Sequence, residues 1–286
     1  MWSLNSLSTI RNEDRHETPV RSPGPDNGGT TALGATKGDT LMKQRFWRVL
    51  PTAVFMAAIA FCGMARAGGN EEKTAKLIVD YMVKARGVIA YNQKLINDSG
   101  KGNKGFTAQV YESQLADDFK KMSSIDVRSL NAADPVEKAL AALHESAKET
   151  VTDAQSQINE PGKAFKGFSP AIFGKRVGDR FYKKTGITMK QTSIKNRAVY
   201  NKPDQFEKDA LEKFESKQLA GGKGHSQVAN VNGKKAVRYV YPLYISQLCL
   251  SCHGDPAGEL DVAGRKKEGY KIGDLRGAIS VIVPIK

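Results

Sequence analysis

The clearest hydrophobic pattern in the chain has the period of an α-helix. Between residues 71 and 98, apolar side chains recur every three or four positions among charged and amide side chains. These apolar positions are Leu77, Ile78, Tyr81, Met82, Ala85, Val88, Ile89, Leu95 and Ile96. A period near 3.6 residues places them on one face, so the pattern predicts a long amphipathic helix. The Gly-rich segment SGKGNKG that follows ends it.

Three more helices are indicated by their first and last residues. An Asp-Pro pair opens residues 134–162, because Asp suits the N-cap and Pro suits the first helical turn. Residues 170–186 form a shorter helix that ends at Gly186, and residues 203–218 form another with an Asp near its start. Residues 106–130 have a mixed pattern, and no element is assigned to them.

The period changes towards the end of the chain. Residues 225–246 contain two alternating runs around Asn232-Gly233, which is a strong signal for a tight hairpin. The last run, RGAISVIVPIK, also alternates and predicts a strand. Helices followed by a terminal antiparallel sheet make an α+β fold. A cysteine motif lies between the last strands, in a loop-and-helix insert.

The N-terminal part has a different composition. Residues 1–41 are rich in Gly, Pro, Ser and Thr, which predicts disorder. Residues 42–67 combine a basic start, a short apolar run and an Ala-Arg-Ala site, which together predict a secretory signal peptide. We therefore expect translation to start at Met42, residues 1–41 to be untranslated, and a single mature periplasmic domain over residues 68–286.

An uncleaved membrane anchor remains an alternative for the apolar run, although the run is shorter than the roughly 20 residues that span a bilayer. In that case alone the protein would associate with the membrane. Lipidation of Cys62 is disfavoured, because the bulky Phe61 precedes it.

Charge narrows the choice of partners. The formal net charge is +14, and the lysines are scattered through the chain. No basic run interleaved with aromatic residues is present, so binding of nucleic acid is not expected. A basic surface suits an acidic protein, so we expect a periplasmic redox or signalling partner. A homodimer is a further alternative.

The chemistry is concentrated in Cys249-Leu250-Ser251-Cys252-His253, a C-x-x-C-H motif. Two thiols one turn apart can reach the two vinyl groups of one porphyrin, and the next residue can place an imidazole under the iron. The motif therefore predicts one covalent haem c with His253 as a metal ligand. The second ring nitrogen of His253 should bond a carbonyl or a carboxylate.

Two other readings of the motif are weaker. A thioredoxin-like redox pair needs a βαβ context. A zinc half-site needs further ligands, and the predicted mature chain has no other cysteine. The predicted export signal favours haem, because the signal leads to the compartment where covalent haem attachment occurs.

The neighbouring segments carry a resemblance. CLSCHGDP and KKEGYKIGDLRGAISVIVPI resemble a family of bacterial single-haem c-type domains with a PAS-like fold, found as free periplasmic proteins and in sensor kinases and chemoreceptors. GFSPAIFGKRVGDRF and KKAVRYVYPLYIS are similar to other recurring segments of that family, and the resemblance covers most of residues 74–286. It implies haem binding with a redox or ligand-sensing role, and no known enzymatic reaction.

The second iron ligand is left open. Relatives can use a cysteine from the helical half, but none remains here after residue 67 except those of the motif. His144, on a predicted helix, is the first candidate. The other candidates are His225, Met82, Met122, Met189, or a Tyr or Lys side chain.

Haem propionates favour Arg and Tyr donors. The candidates for this contact are Arg197, Arg238, Tyr239, Tyr270 and Arg276. Each could equally be a surface residue of a strand.

Three functions fit these residues. The first is redox sensing or electron transfer through one haem, without catalytic turnover. The second is a sensor for NO, CO or O₂ with a weak or open iron position. The third is a small haem peroxidase, which is disfavoured because no distal His-Arg pair is recognisable.

Overall fold

The structure is a computed structural model, and it describes residues 68–219 and 222–286. The predicted signal peptide, Cys62 and residues 1–41 lie outside the described residues. Within the described residues, no helix has both the length and the apolar character needed to cross a membrane.

Eight helices and four strands are described in these ranges. In chain order they are α1 Gly69–Tyr91, α2 Gln93–Ile96, α3 Ala108–Ser123, α4 Pro135–Asp153, α5 Gln155–Asn159, α6 Pro170–Thr185, β1 Thr188–Thr192, α7 Gln205–Glu215, β2 His225–Val231, β3 Lys234–Tyr244, α8 Leu250–His253 and β4 Leu275–Pro284. Two 3-10 turns, Val199–Asn201 and Gln247–Cys249, complete the set. The predicted α+β class is confirmed.

The predicted helix starts are confirmed at α4 and α7. The Asp134 side chain accepts from the backbone N–H groups of Val136 and Glu137, which have no partner inside the helix. Asp204 and Glu207 form a reciprocal capping box at the start of α7. At the other end of a helix, Gly186 closes α6 with φ 73°, a conformation that glycine adopts without strain.

The long first helix is confirmed with one change, since it breaks at Asn92 and continues as the short α2. Helix α3 was not predicted. Thr107 caps its start, and its buried residues Tyr111, Leu115 and Phe119 have helical spacing. The exposed apolar residues Val110 and Met122 make this spacing hard to recognise in the sequence.

All four strands form one antiparallel sheet in the order β1-β4-β3-β2. The hairpin between β2 and β3 turns at Asn232 and Gly233 with φ values of 52° and 80°, as its two-residue sequence predicts. Strand β1 departs from the expected order, because it precedes α7 in the chain yet pairs with the last strand.

The sheet has an apolar contact on each face. One face, which includes Tyr239, Ile279 and Val281, packs with α1, α3, α4 and α6 in the main core. The opposite face, which includes Val240 and Ala278, packs against α7. Alternate residues of β3 therefore point into different environments.

Candidate haem site

The C-x-x-C-H motif lies between β3 and β4, as predicted. Its first residue, Cys249, is the last residue of a 3-10 turn at Gln247–Cys249, and its other four residues form the single-turn helix α8. Gly254 ends this turn, and a Cβ there would lie 2.8 Å from the Leu250 carbonyl oxygen, so the turn is closed too tightly for a side chain. Both thiols are free and partly exposed. Burial raises the pKa of the Cys252 thiol.

His253 is oriented by a carboxylate. Its Nδ1 lies 2.8 Å from Glu268 Oε2, and its carbonyl oxygen accepts from the Tyr270 N–H at 2.9 Å. Arg276 Nε lies farther from the same ring nitrogen, at 3.3 Å. A carboxylate can only accept, so the shorter contact assigns the proton to Nδ1 and leaves Nε2 with the free lone pair that a metal ligand needs. The expected carbonyl or carboxylate partner is therefore Glu268.

Arg197 connects this pair to the motif. Its Nε and Nη2 bond the two oxygens of Glu268 at 2.6 and 2.7 Å, and its Nη1 bonds Asp261 at 2.7 Å. Nη2 also donates to the Cys252 carbonyl oxygen at 2.7 Å. The planar guanidinium thus ties the backbone of the motif to the loop that carries Glu268.

The charges at this cluster follow from its bonds. Burial alone would raise the pKa of Glu268, but the bonds from Arg197 and His253 hold it below its usual value. The pKa of His253 is also lowered, by burial first and by the Arg276 charge second. The arrangement is therefore a neutral imidazole that donates to an ionised carboxylate.

Besides Arg197, two more of the candidate propionate partners, Tyr270 and Arg276, lie beside the motif. The Arg276 guanidinium lies 5.8 Å from the Tyr270 ring centroid, and Lys195 Nζ lies 5.3 Å from the same ring. Arg276 also donates to Ser193 Oγ at 2.8 Å. Tyr270 and Arg276 thus occupy the side of the motif where His253 lies.

Arg86 is a neighbour of the motif that the sequence did not indicate. It belongs to α1, and its Nε donates to the Pro170 carbonyl oxygen at 3.4 Å. Burial lowers its pKa to about 10, the Cys249 thiolate would raise it, and the Arg276 charge lowers it further. Arg86 forms no ion pair with a described residue. The sequence did not single it out, because an exposed lysine or arginine of an amphipathic helix would occupy the same kind of position.

Arg238 and Tyr239 are not brought to the motif. Adjacent on β3, they point to opposite faces of the sheet. Arg238 pairs with Asp204 and lies 4.6 Å from the Phe206 ring centroid, on the α7 side. Tyr239 packs in the main core. Their contact with propionates stays a prediction that this arrangement does not favour, because alternation along a strand separates them and other partners already hold them.

His144 is also bonded elsewhere. It is 6% exposed, its Nδ1 accepts from the Tyr81 hydroxyl at 2.9 Å, and its Nε2 donates to Glu112 Oε1 at 2.9 Å. Lys148 bonds the same carboxylate oxygen at 2.9 Å. Both ring nitrogens are therefore in use within the helical core. His144 as an iron ligand stays a prediction that this arrangement does not favour.

The remaining ligand candidates are placed as follows. His225 begins β2 and stacks on the Phe206 ring at a centroid distance of 5.6 Å. Met82 and Met189 are buried in the main core, and Met122 is 45% exposed. None of them has a recorded contact with the motif among the described residues.

The described part of the structure also lacks the features that the two alternative interpretations of the motif need. The motif joins two antiparallel strands, which is not the βαβ context of a thioredoxin-like pair. A zinc site would need more ligands, and the described ranges contain no group of three or more His, Cys, Asp or Glu side chains placed to hold a metal ion.

Comparison with known families decides the class. Residues 65–284 match the family model of the Tll0287-like domain, a family of cytochrome c-type haem-binding domains. The chain belongs to the Tll0287-like family. No curated protein and no solved structure is significantly similar to it.

The donor set of this Tll0287-like domain fits a haem. Cys249 and Cys252 would hold it through thioethers, and His253 Nε2 would bind the iron. Its carboxylates would offer an anionic partner to Arg86, which has no ion pair among the described residues, and a second one to Arg276, which lies 3.7 Å from Glu268. Once bound, the haem would supply a metal centre that can change its charge by one electron.

Proposed function

We propose that this protein is a periplasmic haem c protein that senses or transfers single electrons. The observation that carries the proposal is the geometry of the motif: two free thiols on one helical turn, followed by a histidine whose Nδ1 is held by Glu268. The family match supports haem binding. The predicted export signal at residues 42–67 supports a periplasmic location, and the resemblance supports a PAS-like sensing domain.

One protein partner follows from the surface beside the motif. Arg265, Lys266 and Lys271 are exposed in the loop that also carries Glu268 and Tyr270. Exposed cations beside a redox centre attract an acidic partner and speed its encounter. We therefore propose an acidic redox or signalling protein as the partner. Homodimer formation and membrane attachment stay predictions.

The test is covalent haem loading in a bacterial periplasm with a haem maturation system. We expect the protein to keep its haem through acid-acetone extraction and to give one haem per chain as the pyridine haemochrome. Cys249→Ala with Cys252→Ala should abolish loading. His253→Ala should change the spectrum of the loaded haem, because it removes the predicted iron ligand, whereas its matched control His225→Ala, in strand β2, should leave the spectrum unchanged. A colourless wild-type protein contradicts the proposal.

A gas-ligand sensor is the second candidate. It is favoured by the use of both His144 ring nitrogens inside the core, because this leaves the leading candidate ligand without a free nitrogen. A weak or open sixth position would bind CO in the reduced state. A shift of the Soret band on adding CO supports this candidate, and an unchanged spectrum supports electron transfer.

A further inference from the structure

Glu268 is placed to act on the iron through His253. The carboxylate accepts from the ring N–H at 2.8 Å, and its bonds with Arg197 hold it in one orientation. The side chain of Glu268 is 16% exposed and that of Arg197 is 21% exposed, so water screens these contacts only partly. Such a partner fixes the ring and makes the opposite nitrogen a stronger donor.

The proposal rests on the proposed function and deepens it. We propose that Glu268 is a positioning residue that lowers the reduction potential of the haem through its hydrogen bond to His253. A stronger imidazole donor and a nearby negative charge both favour the more highly charged ferric iron. Reduction adds one electron to the iron, from a one-electron donor protein or from dithionite in the assay, and no proton moves at His253.

A control variant must remove a nearby negative charge and keep the hydrogen bond between Glu268 and His253. Arg197 bonds two carboxylates, Glu268 and Asp261, at nearly the same distances of 2.6 and 2.7 Å. Only Glu268 also bonds His253. Removing the charge of Asp261 therefore alters the same guanidinium while the imidazole bond stays in place. Asp261→Asn is the matched control for Glu268→Gln.

The potential is the first measurement. Spectroelectrochemical titration of haem-loaded Glu268→Gln should show a midpoint shifted upward, with at least a tenfold change in the ferric-to-ferrous ratio at a fixed potential. That factor corresponds to about 59 mV for one electron. Asp261→Asn should shift the midpoint by less than half as much. Glu268→Asp, which keeps the charge, should lie between wild type and the glutamine variant.

A measurement at the hydrogen bond itself excludes a purely structural effect. In the low-spin ferrous protein, with CO added where the sixth position binds it, NMR should show a lower resonance frequency for the His253 Nδ1–H proton in Glu268→Gln than in wild type, because a neutral amide accepts a weaker bond than a carboxylate. Asp261→Asn should leave the frequency unchanged. Equal shifts of potential in the two variants, or an unchanged frequency in Glu268→Gln, overturn the inference.

Haem loading is measured first, so that a failure of the proposed function can be distinguished from a failure of the inference about Glu268. A wild-type protein without haem overturns the proposed function. If Glu268→Gln is the one variant that loads no haem, the hydrogen bond between Glu268 and His253 is tested in the haem-free proteins. In them, the ¹⁵N shifts of His253 should report the Nδ1–H tautomer in wild type and Asp261→Asn, and more of the Nε2–H tautomer in Glu268→Gln. The same tautomer mixture in all three overturns the inference.

Discussion

Replacement of His144 by leucine separates a core residue from an iron ligand. The structure predicts that His144→Leu costs stability and leaves the haem spectrum unchanged. In the folded protein the Tyr81 hydroxyl is fully buried and bonds His144, so the leucine leaves this hydroxyl without that partner. Glu112 keeps its bond from Lys148 and is partly exposed, so the loss of its bond from His144 costs little free energy.

The cost follows from these contacts. An unpaired buried hydroxyl costs about 1–3 kcal/mol, and the second lost bond adds roughly 0.5–1 kcal/mol after solvation of Glu112. Burial of the leucine side chain offsets a part of this cost, so we expect a loss of about 2–3 kcal/mol in the free energy of unfolding. For a domain of this size that corresponds to roughly 4–12 °C in Tm.

The assay is urea unfolding of four proteins in the haem-loaded form: wild type, His144→Leu, Tyr81→Phe and the double variant. Because Tyr81 and His144 bond each other, the double variant should lose less stability than the sum of the single losses, by about 1 kcal/mol. A change from a low-spin to a high-spin spectrum in His144→Leu, without such a change in Tyr81→Phe, would refute the reasoning and restore His144 as the sixth ligand. Strict additivity would refute the bond.

Two further predictions concern stability. Burial lowers the pKa of His144, against the opposing bond to Glu112, so the folded protein takes up a proton less readily than the unfolded chain, whose histidine titrates near 6.5. Stability should therefore fall as the pH drops below about 6.5, and urea unfolding from pH 8 to 5 should show a smaller slope in His144→Leu. Gly178→Ala should cost about 1–3 kcal/mol in thermal unfolding, because its Cβ would lie 2.5 Å from the Met189 carbonyl oxygen of β1. Gly174→Ala should cost less, since its Cβ meets only the flexible end of Gln191, and equal losses would contradict this packing argument.

Elements defined by neighbouring residues were predictable. The Asp134 and Asp204 caps, the Gly186 end and the Asn232-Gly233 turn depend on backbone geometry within a few positions, and each lies where its residue type indicated. Helix α3 and strand β1 were missed, because short or partly exposed elements leave a weak period. Strand β1 is held by its pairing with β4, a contact between distant parts of the chain.

The sequence by itself determined the chemistry of the site, because the C-x-x-C-H spacing is local and one helical turn is enough to present two thiols and an imidazole. It did not determine the surroundings. Glu268 reaches His253 across 15 positions, and Arg197 reaches Glu268 across 71. Tyr81 meets His144 across 63 positions and turns a candidate ligand into a core residue. Only the tertiary structure decided these partners, because a side chain's partner depends on which elements pack together, and no local period records that choice.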